Sequence, residues 1–423
     1  MSQLALPPID IDLLSLPPVG HRVLELPDML GKYGEDLVGG LLSRQLPKEE
    51  AEIGLAECGV RRAYHDPGMH GRKYGALVRA LADRGLLEFR LHARETVGVF
   101  GVWKKSGKIR LIVDARRSNC HFAAAPPVAL ATGQAISSIE VDGHGPIQLG
   151  QVDIADAFYQ LALPPELRDL FGLPSLKAGE AGISATVEGD VATDTKVFPC
   201  FIGVPMGWTQ ALHLCQALHE HVVDNLVKLP TESRLLDGAP PPRLAPLIHT
   251  EYVDNVVGYS QSAAPAAEAA SAVHAAFEGL GLPTHGVETS AGGSSLGWQF
   301  SEEAPQVSVS PRRIWRLRLG IKELIRRGSC SGRELEAIIG HFTFCALLRR
   351  ELLACLSASY LFIQRAGEHR QVIWDAVVRE LRWCIALLPF CERNLAAPWL
   401  GRTVATDASP WGRGVVESRI PLL

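Results

Sequence analysis

Two aspartates stand in the settings that metal-assisted phosphoryl transfer requires. Asp153 lies in Val152-Asp153-Ile154-Ala155-Asp156-Ala157-Phe158-Tyr159 and Asp254 in Glu251-Tyr252-Val253-Asp254-Asn255, with the loop Gly203-Val204-Pro205-Met206-Gly207-Trp208 between them in sequence. Transfer of a phosphoryl group to a sugar hydroxyl uses two divalent ions about 3.5 to 4 Å apart, one activating the attacking oxygen and one neutralising the leaving pyrophosphate. Magnesium takes a few hard oxygens plus substrate phosphates, so two or three carboxylates on neighbouring strands suffice. An aspartate at a strand end, or in an Asp-Asn turn, is by itself usually structural. The ordered set is what points to metal chemistry.

Elements able to position these groups can be read around them. Gln148 to Asp153 reads as a strand, and Leu247 to Tyr259 as a hairpin turning at Asp254-Asn255 with positive φ. Val97 to Trp103 and Ile109 to Val113 form a second hairpin about Lys104-Lys105-Ser106-Gly107-Lys108. A further β-type stretch runs from Val197 to Val204, so strands alternate with helices as in an α+β domain. Tyr74, Leu77, Val78 and Leu81 recur at helical spacing, and the alanine-rich segment from Pro265 to Leu280 reads as a helix ending at Gly281. After Pro305 the chain reads as helical for about 90 residues. Helix starts there are marked by Ser310-Pro311 and by the capping box Ser331-x-x-Glu334. On the first of these helices Ile314, Leu317, Ile321 and Leu324 form an apolar stripe flanked by Arg312, Arg313, Arg316, Lys322, Arg326 and Arg327.

At 423 residues the chain is expected to form several packed units, and 47% hydrophobic with 21% charged residues argue against disorder. No signal peptide or membrane span is read in it. Its nine cysteines contain no CxxC pair, which argues against a zinc knuckle and suggests a reducing, intracellular setting, cytoplasmic or nuclear. A net charge of -4 does not announce a nucleic-acid partner. Local charge does: Lys104, Lys105, Lys108, Arg110, Arg116 and Arg117 face only Asp114 in one short stretch.

The three motifs resemble the A, B and C motifs of retroelement, retrotransposon-type reverse transcriptases. Upstream, Lys104 to Asn119 resembles the family's fingers signature, and downstream Leu296-Gly297-Trp298 resembles its primer grip. The likeness spans about residues 70 to 415. It implies an α+β right-hand polymerase of fingers, palm and helical thumb, acting as an RNA-directed DNA polymerase. Asp153 and Asp254 would be metal ligands, with Asn255 beside them, for two magnesium ions or manganese in their place. The implied nucleotide pocket comprises Lys104 or Lys105, Arg110, Asp156, Ala157, Phe158, Met206 and Gly207, with Phe158 as the gate against a 2'-hydroxyl. Arg116, Asn119, Tyr252, Leu296, Gly297, Trp298, Arg312 and Arg316 would touch primer or template. Partners would be an RNA template, a DNA primer and deoxynucleoside triphosphates, with no membrane; the sequence does not speak to oligomeric state.

Expected divisions are residues 1–70 as an extension, 71–146 as lead-in helix and fingers, 147–300 as palm with a fingers insertion at about 164–198, and 301–397 as thumb. Residues 398–423, around Val404 to Gly412, resemble the first strand and turn of a ribonuclease H domain cut short, so no RNA-degrading activity is expected. Three departures from the family stand out. Asn255 replaces a second aspartate, Met206 replaces a residue often Gln or Phe, and the loop from Gly281 to Glu288 lacks the family's lysine. His285 stands in that loop and reads as a surface histidine. The alternative to an active polymerase is a decayed or domesticated copy that binds nucleic acid without extending a primer.

Overall fold

A computed structural model describes residues 6–239, 246–398, 401–409 and 411–419. The early helices are Lys32–Ser43 (α1), Lys48–Glu57 (α2) and Gly71–Ala82 (α3). On α3 the predicted stripe Tyr74, Leu77, Val78 and Leu81 is buried. Strand Leu87–Arg90 (β1) follows, then the hairpin Gly98–Trp103 (β2) and Ile109–Asp114 (β3). Residues before α1, expected only as an extension, are stitched into the body. Leu14 bridges to Ile109, Leu24 bridges to Leu161, and Ile9, Leu14 and Leu26 are buried.

Strand Gln148–Ile154 (β4) lies at the heart of the molecule. Strand Lys196–Phe201 (β5) pairs with β1, and helix Ala211–His221 (α4) comes next. Ile248–Tyr252 (β6) and Asn255–Ser260 (β7) form the central hairpin, followed by helix Ala263–Gly279 (α5) and strand Thr284–Ala291 (β8). The antiparallel sheet runs β8-β4-β7-β6. Side chains alternate faces along a strand, so the sheet divides two cores. Val152, Ile154 and Val256 join one core with α5 and the early helices, while Leu149, Val257 and Tyr259 join the other. Helix α5 sits close because Gly150 has no side chain; a Cβ there would fall 2.0 Å from the carbonyl oxygen of Ala266.

Strands Gly293–Ser295 (β9), Trp298–Phe300 (β10), Gln306–Val309 (β11) and Glu392–Asn394 (β12) make a second four-stranded sheet. The expected helical run therefore begins later, at Pro311, because Val307 and Val309 alternate inward as a strand. Four helices follow: Pro311–Arg327 (α6), Gly332–Ala346 (α7), Ser357–Ala366 (α8) and Asp375–Leu387 (α9). On α6, Leu317, Ile321 and Leu324 are buried, while the Ser331 capping box starts α7 with both reciprocal hydrogen bonds. Strands Arg402–Ser409 (β13) and Gly412–Arg419 (β14) close the described chain as a hairpin whose described side chains are exposed. Among the described residues no helix is long and apolar enough to cross a membrane.

Candidate active site

Backbone pairing brings the two aspartates together. Asp153, near the end of β4, is the register partner of Asn255 on β7, and Ile154 N donates to Asp254 O at 2.8 Å. The hairpin turns one residue earlier than the sequence suggests, because Tyr252 pairs with Asn255 and leaves Val253-Asp254 as the two-residue turn. Positive φ falls on Val253, at 60°, and not on Asp254 or Asn255. That is the pattern of a type II′ turn, and a β-branched residue in it carries strain of about 1–3 kcal/mol. Asp254 is thereby lifted to the tip beside Asp153.

The strain is held by a residue the motifs do not reveal. The side-chain oxygen of Gln216 accepts from Val253 N at 2.9 Å, and its amide donates to Glu251 O at 3.1 Å. Gln216 sits among Leu214, Cys215 and Leu218 on the buried face of α4. A lone amide on an apolar stripe was its one sequence signal. Below the turn, Glu251 accepts from His249 Nδ1 at 2.7 Å and from Arg234 Nε at 2.6 Å, and Arg234 also pairs with Asp224.

Burial, and then the Asp254 charge, push the Asp153 carboxyl up to about 6. Burial likewise raises Asp254, against the opposing positive charges of Arg110, His285 and Lys104. Arg110 and Lys104 thus act on the site by charge from the β2–β3 hairpin, where the Lys104 ammonium donates to Ser15 Oγ at 2.8 Å. His285, expected on a loop, lies in β8 where the pairing with β4 is irregular between Thr284 and Val287.

Whether this donor set suits magnesium is decided by its free oxygens. Among the described residues no hydrogen-bond donor reaches the Asp153 side chain, and Asn255 Oδ1 is buried without a partner. Two carboxylates and one neutral oxygen, all hard donors, fit a magnesium ion that completes its shell from water and phosphate.

The other residues expected in the nucleotide pocket lie on two further segments. Asp156 adopts the left-handed region (φ 49°) just before the short helix Ala157–Gln160, in which Ala157 is buried and Phe158 half-buried. Met206 O accepts from Val113 N at 3.0 Å, which fixes the Pro205–Gly207 loop to the end of β3. Gly207 has φ 133°, and a Cβ there would fall 2.1 Å from Val113 O. Gly207→Ala is therefore expected to cost about 1–3 kcal/mol of stability and to pull the loop off β3. Urea unfolding checks the first, and an unchanged midpoint would remove the close-approach argument.

Expected strand contacts divide. Arg116 is exposed and grips Asp114 through Nε at 2.8 Å and Nη2 at 2.7 Å. The Asn119 carboxamide donates to Gly207 O and accepts from Thr209 N, both at 3.0 Å, so it braces the loop. Trp298 is buried and stacks on Phe344 with ring centroids 4.3 Å apart, while half-buried Leu296 and exposed Gly297 form the turn before it with φ of 48° and 87°. Tyr252 is partly exposed beside the Val253-Asp254 turn. Arg312 and Arg316 are exposed on α6 and, with Lys105 from the β2–β3 turn, border a cavity of about 460 Å³.

This architecture is the right-hand polymerase fold of reverse transcriptases. The chain is similar to the foamy viral protease-reverse transcriptase dRH in complex with double-stranded DNA, at TM-score 0.56 and 14% identity over 97% of this chain and 68% of that one. It is similar also to the foamy viral protease-reverse transcriptase in complex with double-stranded DNA, at 0.55 and 14% over 95% and 80%. A third likeness is to that protein in complex with an RNA/DNA hybrid, at 0.51 and 13%, covering 93% of this chain and 50% of the other. No protein-family model and no curated protein matches the sequence.

Proposed function

We propose that the chain is an RNA-directed DNA polymerase of retrotransposon type, adding deoxynucleotides to a primer 3'-hydroxyl. The observation that carries this reading is the convergence of Asp153 on β4 with Asp254 in the turn that leads into its paired strand β7, with Arg110 and Lys104 in electrostatic reach. Asp153 and Asp254, aided by the Asn255 amide oxygen, would hold two magnesium ions, which supply activation of the attacking hydroxyl and neutralisation of the leaving pyrophosphate. Arg110 can grip a phosphate with two N–H groups, and Lys104 or Lys105 adds a point charge. In this reading the backbone at the left-handed Asp156 would approach the triphosphate, and Phe158 would be the gate against a 2'-hydroxyl. On α6, Arg312 and Arg316 suit the phosphates of a primer–template duplex, a partner class that the complexes of the similar foamy viral proteins also contain.

Primer extension on an RNA template with magnesium tests this. Wild type should extend with deoxynucleotides, and Phe158→Val should raise ribonucleotide use by about 10–100-fold through the enlarged pocket. Equal use of both sugars by wild type would end the gate assignment. Asn255, in place of an acid, favours the second reading of a chain that binds without extending. Binding by wild type with extension appearing only in Asn255→Asp would establish that reading.

A further inference from the structure

Thiols meet in pairs in this fold. Cys58 is hydrogen-bonded to Cys120, and Cys355 to Cys384. Cys384 is buried and Cys355 half-buried, whereas Cys58 is exposed at the end of α2. Neighbouring thiols in a reduced protein are ordinarily idle, so proximity alone decides nothing. Access and charge set the first pair apart.

A packed interface holds that pair together. A Cβ on Gly54 of α2 would fall 3.4 Å from Cys120 O and 3.5 Å from Cys120 Cβ, so the helix lies directly against that residue. Cys58 stands one turn further on, with its N–H on Gly54 O at 2.9 Å, and residues four apart share a helix face. Cys120 follows the short helix Arg116–Asn119. The two chain segments are fastened around the sulfurs: Leu46 N donates to His121 O at 2.8 Å, Ala123 N to Arg44 O at 2.9 Å, and Arg117 Nη1 to Val60 O at 3.0 Å.

Arg116 and Arg117 both lie within electrostatic range of Cys58. The thiolate is the nucleophile, and a partly exposed sulfur with cations beside it is the kind that reacts. Cys120 differs, because burial first, and then the hydrogen bond and charge of Cys58, push its thiol up to about 11. The exposed sulfur is therefore placed to react first and the covered one to follow.

We infer that Cys58 and Cys120 form a peroxide-sensitive pair that closes to a disulfide and clamps α2 to the segment bearing Asn119. The Cys58 thiolate attacks one oxygen of hydrogen peroxide, the O–O bond breaks, and the departing hydroxide takes up a proton as water, leaving a sulfenic acid. The Cys120 sulfur then attacks the Cys58 sulfur, and its proton leaves with the displaced hydroxyl as a second water. Together the sulfurs lose the two electrons that the peroxide gains. Asn119, directly before Cys120, gives the clamp its reach, since its carboxamide holds Gly207 O and Thr209 N. Anchoring Cys120 covalently stiffens the Pro205–Gly207 loop from behind, whatever that loop binds.

The full chain, reduced and then treated with hydrogen peroxide in chelator, is alkylated in denaturant and read by intact mass and peptide mapping. Wild type should become lighter by two hydrogens, with Cys58 joined to Cys120 and with Cys355 and Cys384 still free to be alkylated; dithiothreitol should reverse the change. Cys120→Ser should stop at a sulfenic acid on Cys58 that dimedone captures, and Cys58→Ser should leave Cys120 a thiol. Both variants should melt with wild type when reduced. Oxidation should raise the wild-type melting midpoint by about 5 °C and slow hydrogen exchange at the Thr209 amide severalfold, with neither change in oxidised Cys120→Ser. A wild type that halts at the sulfenic acid, or that joins two copies through Cys58, overturns the pair. A disulfide that lowers the midpoint, or leaves Thr209 exchange untouched, overturns the clamp.

Discussion

Asp254→Asn is expected to abolish primer extension, by about 10³-fold or more, and at the same time to stabilise the metal-free protein. On the proposed function, loss of one of the two carboxylates that would hold metal removes several kcal/mol of transition-state stabilisation, and each 1.36 kcal/mol is about tenfold in rate. The gain in stability follows from electrostatics. Asp153 is raised from 3.8 to about 6 by burial first and by Asp254 second. An acid whose folded value lies above its unfolded one binds protons more tightly when folded, so the fold gains stability as pH falls from 7 towards 4 and carries a cost at neutral pH. Removing the Asp254 charge relieves part of that cost, on the order of 1 kcal/mol once solvent screening is allowed for.

Melting in chelator between pH 5 and 8 should therefore show wild type losing stability as pH rises and Asp254→Asn losing less. Magnesium should raise the wild-type midpoint at pH 7.5 more than the variant's, because only wild type offers two carboxylates. A variant that melts lower than wild type at pH 7.5 in chelator, or that still extends primers, would contradict the shared-site geometry.

How far this site could be read from the sequence varies with what each residue depends on. Asp153 and Asp254 were legible because strand periodicity and motif order fix them locally, and their pairing follows once β4 and β7 are neighbours. The turn was misplaced by one residue because Asp-Asn is the intrinsically favoured pair for positive φ, while Val253 adopts it at 60° only with Gln216 bonded to its N–H. Tertiary context overrides propensity there. The burial of Trp298 was not legible for a similar reason: its place beside the Leu296-Gly297 turn was visible, but its inward direction depends on Phe344, which lies on α7 far along the chain. The early segment gave least. Its apolar residues, such as Ile9, Leu14 and Leu26, are too sparse to show a period, and they are buried by partners distant in sequence.

Glu251 carries the largest expected effect on stability, and it too was invisible as anything but a neighbour of the catalytic turn. Its carboxylate is almost wholly buried, with one oxygen on His249 and the other on Arg234. Burial alone would raise its acid range; the hydrogen bond from His249 and the charges of His249 and Arg234 outweigh that and hold it below 4.5. The network thus contributes stability that is present above pH 4.5 and is lost as pH falls through the lower folded value. Glu251→Ala takes the carboxylate from buried His249 and leaves Arg234 with Asp224 as its one remaining counter-charge, and should cost about 3–5 kcal/mol in urea unfolding. The double variant Glu251→Leu, Arg234→Met should recover much of this, because a well-packed apolar pair can replace a buried ion pair at little cost. Because Glu251 O is also held by Gln216, which in turn holds Val253, the recovered double variant should still show a raised nucleotide KM if the network aims the turn. A cost below about 1 kcal/mol for Glu251→Ala would mean that the cluster is solvated in solution, and that Gln216 alone holds the strained turn under Asp254.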